Sequence, residues 1–200
     1  ASDVYKRQVG ARACTPYGFD VARTWSAMLA ERGWIVVSGG AIGIDGAAHG
    51  GALDAQGPTI AVLAGGVDMP YPRQHDILFS RIIDDGLLIS EVPPGEPVRR
   101  QRFLARNRII AALTRATVVI EAALRSGTTA TAHVANEINR PVLAVPGSVH
   151  SALSAGCHRM LRDQEASLVS DVDDVLAWLE PRVAGPVDTS CSRDALDEKQ

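Results

Sequence analysis

Short runs of β-branched and aliphatic residues alternate with longer stretches of helical periodicity along most of this chain. The runs are almost continuously apolar, which is typical of strands buried on both faces. Their alternation with helices predicts an α/β fold: a Rossmann-like (extended), doubly wound, mostly parallel sheet with helices on both faces. The predicted strands are Trp34–Val37, Thr59–Leu63, Leu87–Ile89, Thr117–Ile120 and Pro141–Val145. The predicted helices are Tyr17–Arg32, Ile44–Ala55, Arg73–Asp84, Ala105–Arg115, Thr128–Asn139, Cys157–Arg162 and Val172–Leu179.

The length of 200 residues, 46% of them hydrophobic, is enough for one domain, which we assign to residues 9–180. Residues 1–8 are too charged for a buried strand, so we interpret them as a fragment boundary or foreign sequence. Residues 181–200 are acidic and rich in Gly, Pro and Ser, which predicts a disordered tail. The sequence has no apolar run long enough for a membrane helix and no signal peptide, so we expect a cytoplasmic protein.

Basic residues are concentrated in one part of a chain whose formal net charge is −3. Residues 171–200 hold eight acidic and three basic side chains, so the first 170 residues carry a small positive net charge. The interval 97–120 contains six arginines and no acidic residue. Both lysines, Lys6 and Lys199, lie near the termini, so an anion site in the folded body must use arginine or backbone N–H groups.

Glycine-containing loops follow three of the predicted strands, at residues 38–45, 64–72 and 125–129. The carboxyl ends of parallel strands meet at one edge of the sheet, where loops lead into helix N-termini whose N–H groups attract anions. Glycine lets the backbone approach a phosphate without an obstructing Cβ. The three loops together predict an anion-binding groove, to which Arg12, at the end of a presumed first strand, is added. A tight connection, or a helix cap in the case of Ser126, is the alternative interpretation of each loop.

Motifs for common cofactors and catalytic centres are absent from the sequence. It contains no GxGxxG, no GxxxxGK[ST], no HExxH and no nucleophile elbow. The three cysteines are widely spaced and odd in number, which favours free thiols over a disulfide framework or a zinc site. Asp45 and His49 lie four residues apart on one helical face; we favour a helix cap and a hydrogen-bonded histidine over an acid–base pair. We therefore expect no cofactor and no metal.

The arginine-rich interval also contains an aromatic residue, Phe103. Single-stranded nucleic acid is bound by cations that hold its phosphates and by rings that stack on its bases. A core contact beside a solvated arginine face is the alternative interpretation of Phe103. Arg106 and Arg108 lie at the start of a predicted helix, where the helix dipole disfavours cations. Their position predicts a bound anion or an acidic partner such as Glu91 or Glu121.

Taken in order, these motifs resemble the DNA-processing protein A family, called DprA or Smf, over residues 9–178. The matching stretches are Val9–Arg12, Thr15–Gly18, Ser38–Asp45, Ala48-His49, Thr59–Leu63, Asp68, Tyr71-Pro72, Ser90-Glu91, Phe103, Arg106–Ile110, Glu121, Ser126–Thr128 and Val145–Gly147. The resemblance implies a Rossmann-like domain without nucleotide-cofactor chemistry. It also implies single-stranded DNA binding, a homodimer, and help in loading the RecA recombinase during DNA uptake and natural transformation in competent cells.

The resemblance places a DNA-binding pocket on particular positions of this sequence. The family's pattern and the glycine-containing loops together predict the set Arg12, Ser38, Gly39, Gly40, Gly43, Arg100, Phe103, Arg106, Asn107, Ser126, Gly127 and Thr128. Arg100 stands where a lysine is common in the family, which keeps the charge but changes the geometry of the donors. Members often carry a small helical domain before this one and a winged-helix-type domain after it, and neither is visible in this sequence.

Two other functions remain open at this stage. The first is an enzyme that cleaves the N-glycosidic or phosphate bonds of nucleotides on a related Rossmann-like fold, with Glu91 or Glu121 as the acid. The second is a scaffolding dimer whose arginines are only solvated. We favour the single-stranded DNA-binding recombination mediator, which is not an enzyme.

Overall fold

The structure is a computed structural model that describes the backbone of residues 5–9 and the whole of residues 14–180. These residues contain seven strands: β1 (Tyr5–Val9), β2 (Ile35–Ser38), β3 (Thr59–Val62), β4 (Leu87–Ile89), β5 (Thr117–Val119), β6 (Val142–Ala144) and β7 (Ser167–Leu168). All pairs are parallel, and the spatial order is β4-β3-β2-β1-β5-β6-β7. The order reverses at β1, which pairs with β2 on one side and with β5 on the other.

A helix or a pair of helices connects each strand to the next, and one further helix follows β7. The helices are α1 (Pro16–Glu31), α2 (Ile44–Asp54), α3 (Asp76–Asp85), α4 (Arg100–Ala105), α5 (Asn107–Leu113), α6 (Gly127–Glu137), α7 (Ala155–Arg162) and α8 (Val172–Leu179). Side-chain caps begin three of them: the oxygens of Thr15, Ser126 and Asp171 accept from N–H groups in the first turns of α1, α6 and α8. Each cap satisfies one of the donors that a helix start leaves without a partner inside the helix.

The core has two layers because successive strand residues point to opposite faces of the sheet. On one face, Val118 and Leu143 pack with residues of α1, α2 and α8. On the other face, Val119 and Val142 pack with residues of α5, α6 and α7. Both faces are therefore covered, which explains why the strands are apolar along their whole length.

The predicted doubly wound parallel fold is confirmed, and two local expectations are corrected. The helix expected over Ala105–Arg115 corresponds to the shorter α5, and α4, which precedes it and is separated from it at Arg106, was not predicted. The first strand includes residues 5–8, which the sequence prediction placed outside the domain. Whether those residues are foreign concerns their origin and stays a prediction.

Several expectations concern residues that the structure does not describe. Arg12, Cys191 and the predicted tail 181–200 lie outside the described residues. Among the residues that the structure does describe, Cys14 and Cys157 are free thiols, as expected. The longest helix has 16 residues, and none over this part of the chain is long and apolar enough to cross a bilayer.

Candidate nucleic-acid interface

The glycine-rich turn after β2 is organised around a carboxylate of the chain itself. Oδ2 of Asp45 accepts hydrogen bonds from the N–H groups of Gly39 at 3.1 Å and of Ala41 at 3.3 Å. Asp45 is buried, with 5% of its surface exposed. An internal carboxylate thus takes the position that an external anion takes in comparable turns, and two N–H groups expected to face phosphate are already used.

Gly40 and Gly43 adopt backbone conformations that favour glycine. Their φ angles are +69° and +91°, in the left-handed region where other residues are strained. A Cβ on Gly40 would also lie 2.7 Å from the ring of Phe79. The carbonyl of Gly40 faces Nδ1 of His75 at 3.0 Å, which ties the turn to the segment before α3. The turn is therefore held rigidly from two sides.

Arg106 is a buried arginine between the ends of β2 and β3, with only 8% of its surface exposed. Its Nη1 donates to the carbonyl of Val62, and its Nε donates to Oδ1 of Asn107 at 3.2 Å. The guanidinium also lies against Gly39, where a Cβ would come within 1.9 Å of Nη1. Arg106 and Asn107 are thus brought to the predicted turn, but their side chains are directed into the protein.

The loop after β5 provides the second predicted group of residues. Oγ of Ser126 accepts from the N–H of Thr129 at 3.3 Å and so caps α6, which was one of the two interpretations of this serine. Gly127 is exposed and Thr128 is buried. Gly127 and Thr128 are the first two residues of the helix, so their N–H groups have no acceptor inside α6.

Acidic residues offset part of the arginine-rich interval. Glu96 lies just before it and forms ion pairs with Arg102 at 2.9 Å and with Arg99 at 3.6 Å. Arg108 pairs with Glu91, which confirms one of the two acidic partners expected from its place at a helix start. Arg100 is exposed and forms no ion pair with any residue of the range 14–180. Arg100 is therefore the cation of α4 that is best placed to meet an external anion.

Phe103, one turn after Arg100 on α4, contacts a second ring. The ring centroids of Phe103 and Tyr71 are 6.1 Å apart, with an angle of 66° between the planes. Phe103 is partly exposed, and Tyr71 is 48% exposed. Phe103 is therefore not a residue of the buried core, which was the alternative interpretation, and it lies at the surface beside another aromatic side chain.

A buried glutamate lies at the crevice between β1 and β5, where the strand order reverses. Glu121, 2% exposed, accepts hydrogen bonds from the N–H of Thr15 at 2.9 Å and from the Thr15 hydroxyl. A cavity of about 540 Å³ opens beside this pair. Its lining consists of Thr15, Tyr17, Glu121, Pro146, Gly147, Ser148, Ser151 and Ser154. Partial burial and then the Glu121 charge raise the pKa of Tyr17.

His49 has the structural role that we favoured for it. The Thr59 hydroxyl donates to the carbonyl of Val36, so it accepts from Nδ1–H of His49 at 2.7 Å. This tautomer leaves Nε2 as an acceptor, which is buried and has no partner among the described residues. Burial, followed by the positive charges of His75 and Arg106, lowers the pKa of His49 to about 3. The Asp45 carboxylate accepts from the N–H groups of Gly39 and Ala41 in the turn, not from the first turn of α2, so the expected helix cap is wrong.

The predicted residues that the structure describes lie in three groups at the carboxyl edge of the sheet. The first group is Ser38, Gly39, Gly40, Gly43, Arg106 and Asn107; the second is Ser126, Gly127 and Thr128; the third is Arg100 and Phe103. Sequence reasoning did not assign Tyr71 to the site, and it did not find Asp45 as the internal anion or Glu96 as the partner of two arginines. The close spacing of Glu96 to Arg99 and of Asp45 to Gly39 could have revealed their contacts. The contact between Tyr71 and Phe103, by contrast, joins elements distant in sequence.

Comparison with known proteins shows what this chain is similar to. A family model described as DNA recombination-mediator protein A matches residues 7–180. The putative DNA processing protein DprA of Mycobacterium tuberculosis is 55% identical over 171 residues, which is 86% of this chain and 44% of that protein. The chain thus spans less than half of the length of this relative.

Two solved structures share the architecture. DNA processing protein A (DprA) from Streptococcus pneumoniae superposes with a TM-score of 0.81 at 42% identity, over 86% of this chain and 60% of the other. DNA processing protein A from Helicobacter pylori superposes with a TM-score of 0.82 at 28% identity, over 88% of this chain and 80% of the other. The second structure is described as giving insights into a unique single-stranded DNA binding mode of that protein.

Proposed function

The chain belongs to the DNA recombination-mediator protein A family, and from this premise we propose that it binds single-stranded DNA along the carboxyl edge of its sheet. The observation that carries the proposal is the surface of α4, where exposed Arg100 stands one helical turn from partly exposed Phe103. A cation and an accessible ring at this spacing can hold a phosphate and a neighbouring base of one strand. The Helicobacter pylori relative with the same fold, described as binding single-stranded DNA, supports the proposal.

The binding residues that we propose comprise all three groups of the carboxyl edge together with Arg12. They are Arg12, Ser38, Gly39, Gly40, Gly43, Arg100, Phe103, Arg106, Asn107, Ser126, Gly127 and Thr128. The burial of Arg106 divides them by role: Arg100 and Phe103 touch DNA, whereas Arg106 holds the turn at Gly39 in shape. The exposed start of α6 adds N–H groups for a second phosphate.

As a recombination mediator, the protein acts in the cytoplasm as a homodimer and helps to load the RecA recombinase on single strands during DNA uptake. Each subunit of the dimer contributes one groove. A strand bound in the first groove meets the second at a high effective concentration, so the dimer binds more tightly than one short groove can. We propose no cofactor and no catalytic step. The RecA role is tested by the rate of RecA filament assembly on single-stranded DNA, which the protein should raise.

The direct test of DNA binding compares a labelled single strand with the same sequence as a duplex, at low and at high salt. We expect retention of the single strand at low salt and a steep loss with salt, since each phosphate contact adds about 0.7 to the slope of log affinity against log salt. Failure to retain the oligonucleotide at low salt would favour a scaffold with solvated arginines.

One observation favours a second candidate function. The cavity beside Thr15 and Glu121 lies where the strand order reverses, which is where open α/β sheets bind small ligands. A nucleotide-processing enzyme that cleaves N-glycosidic or phosphate bonds would use Glu121 as its acid. Incubation with nucleotides, followed by chromatography for free base or phosphate, decides this alternative. Release of either product would favour the enzyme.

A further inference from the structure

The contact between Tyr71 and Phe103 joins two elements that are far apart in the chain. Tyr71 lies in the loop after β3, whereas Phe103 lies on α4, after β4. With a centroid distance of 6.1 Å, the rings touch edge to face. Both side chains remain accessible, and Tyr71 is 48% exposed. The pair is thus an aromatic corner at the surface rather than a part of the core.

Hydrogen bonds keep this corner in shape. The carboxylate of Asp68 accepts from the N–H of Gly95 at 3.0 and 2.9 Å. The N–H of Gly66 donates to the carbonyl of Glu96 at 2.9 Å. The loop that carries Tyr71 is therefore joined to the segment that leads into α4, and the two rings are held before any ligand binds. Prearranged rings lose little conformational freedom on binding.

Exposed cations lie close to both rings in the chain. Arg100 precedes Phe103 by one turn, and Arg73 follows Tyr71 by two residues; both are exposed and form no ion pair with another described residue. Glu96, one of the acidic residues near the corner, is paired with Arg99 and Arg102. Rings with accessible cations close by in the chain suit a polyanion that carries flat apolar groups, and single-stranded DNA has this chemistry.

The angle between the rings decides how bases can use them. Planes that meet at 66° cannot both lie parallel to one base, so one base cannot stack on both rings. Two successive bases can each take one ring if the strand turns between them, which unstacked single strands do readily. We propose that Tyr71 is a second base-stacking residue, which holds the base adjacent to the one on Phe103. This inference rests on the proposed DNA binding.

The test is a double-mutant cycle with Tyr71→Leu and Phe103→Leu, because leucine keeps the apolar contact but removes the ring. Each variant is titrated with an oligothymidylate and with an abasic strand of equal length, which has the same phosphates and no bases. Loss of a stacked base corresponds to about five- to 150-fold in affinity. We expect Tyr71→Leu to weaken oligothymidylate binding by such a factor in both backgrounds, and to leave the abasic strand unchanged.

Two further variants and melting temperatures control the experiment. Tyr71→Phe keeps the ring and should bind within about twofold of the unmodified protein. Trp178→Leu removes an aromatic side chain, 40% exposed, that lies near the starts of β6 and β7, at the opposite edge of the sheet, and should change neither titration. Unchanged melting temperatures for the leucine variants establish that affinities are compared between folded proteins.

Each of the other outcomes overturns the inference. If Tyr71→Leu has no effect once Phe103 is leucine, Tyr71 only supports the Phe103 ring. If Tyr71→Leu has no effect in either background, or weakens both strands equally, the tyrosine stacks on no base. An unmodified protein that binds neither strand overturns the proposed function as well, whereas binding that survives Tyr71→Leu overturns this inference alone.

Discussion

The guanidinium group of Arg106 occupies the space in which a side chain on Gly39 would stand. A Cβ built on Gly39 lies 1.9–2.1 Å from three guanidinium atoms. The same guanidinium donates to the carbonyl of Val62, at the end of the neighbouring strand. A glycine in one loop and an arginine between two helices therefore form one structural unit that holds the ends of β2 and β3.

Gly39→Ala should destabilise the protein by about 2–4 kcal/mol, because the methyl group displaces the guanidinium and breaks its buried hydrogen bond. Urea unfolding measures the change in the free energy of unfolding. Gly50→Ala is the matched control: it lies inside α2 with open space around a new Cβ, and should stabilise by about 0.5–1 kcal/mol. Equal stability of Gly39→Ala and the unmodified protein would contradict the proposed unit.

Arg100→Ala should weaken binding to single strands of every sequence, because one phosphate contact is lost. The slope of log affinity against log salt should fall by about 0.7. Titrations at several salt concentrations measure both effects. Arg12→Ala should behave in the same way. Arg102→Ala, whose side chain is paired with Glu96, and Arg182→Ala, in the acidic C-terminal region, are controls that should change the slope little. Equal losses from all four variants would indicate only diffuse charge attraction.

Phe103→Ala should lower single-strand affinity by about 1–3 kcal/mol, the range for one stacked base. Because Phe103 is partly exposed and its ring contact is with exposed Tyr71, the free energy of unfolding should fall by only about 1 kcal/mol. Phe79→Ala, in the core at 1% exposure, should instead cost about 3–5 kcal/mol of stability. A collapse of stability in Phe103→Ala with normal DNA binding would refute the stacking role.

His49 makes stability depend on pH. Its pKa is about 3 in the folded protein, below the value of about 6.5 in an unfolded chain, so protons bind preferentially to the unfolded state. The contribution is fully present above pH 6.5 and is lost as the pH falls towards 3. Between pH 7 and pH 5 the unmodified protein should lose about 2 kcal/mol more than His49→Asn, which keeps a donor for Thr59. Parallel stability curves for the two proteins would contradict this prediction.

Light scattering at tens of micromolar should give the mass of a dimer. The expectation follows from the proposed family function, because a single short groove holds few nucleotides and two linked grooves bind a continuing strand more tightly. Dilution to nanomolar concentrations should then shift the protein to a monomer and weaken its binding to long strands. A strict monomer at high concentration would weaken the proposal for RecA loading together with that for the homodimer.

The sequence alone was sufficient to predict the fold, because the signals that determine it lie in short stretches of the chain. Near-continuous apolar strands such as Thr117–Val119 can only be buried on both faces, and glycine loops after strands of a parallel sheet must meet at one edge. The order of the motifs also led to the correct family. The Ser126 helix cap, which the sequence left as an alternative interpretation, is observed, and His49 as a hydrogen-bonded core residue is confirmed; both interactions depend on short-range geometry.

Only the tertiary structure decided what each side chain at that edge does. Asp45 fills the turn that was expected to hold phosphate, Arg106 is buried against Gly39, and Tyr71 meets Phe103. Gly39 and Arg106 are 67 positions apart, and Tyr71 and Phe103 are 32 apart, so no local pattern encodes either contact. Such contacts depend on where the packed sheet places its loops. Residue types and periodicity therefore determined the edge at which the site lies, and packing determined which residues remain accessible there.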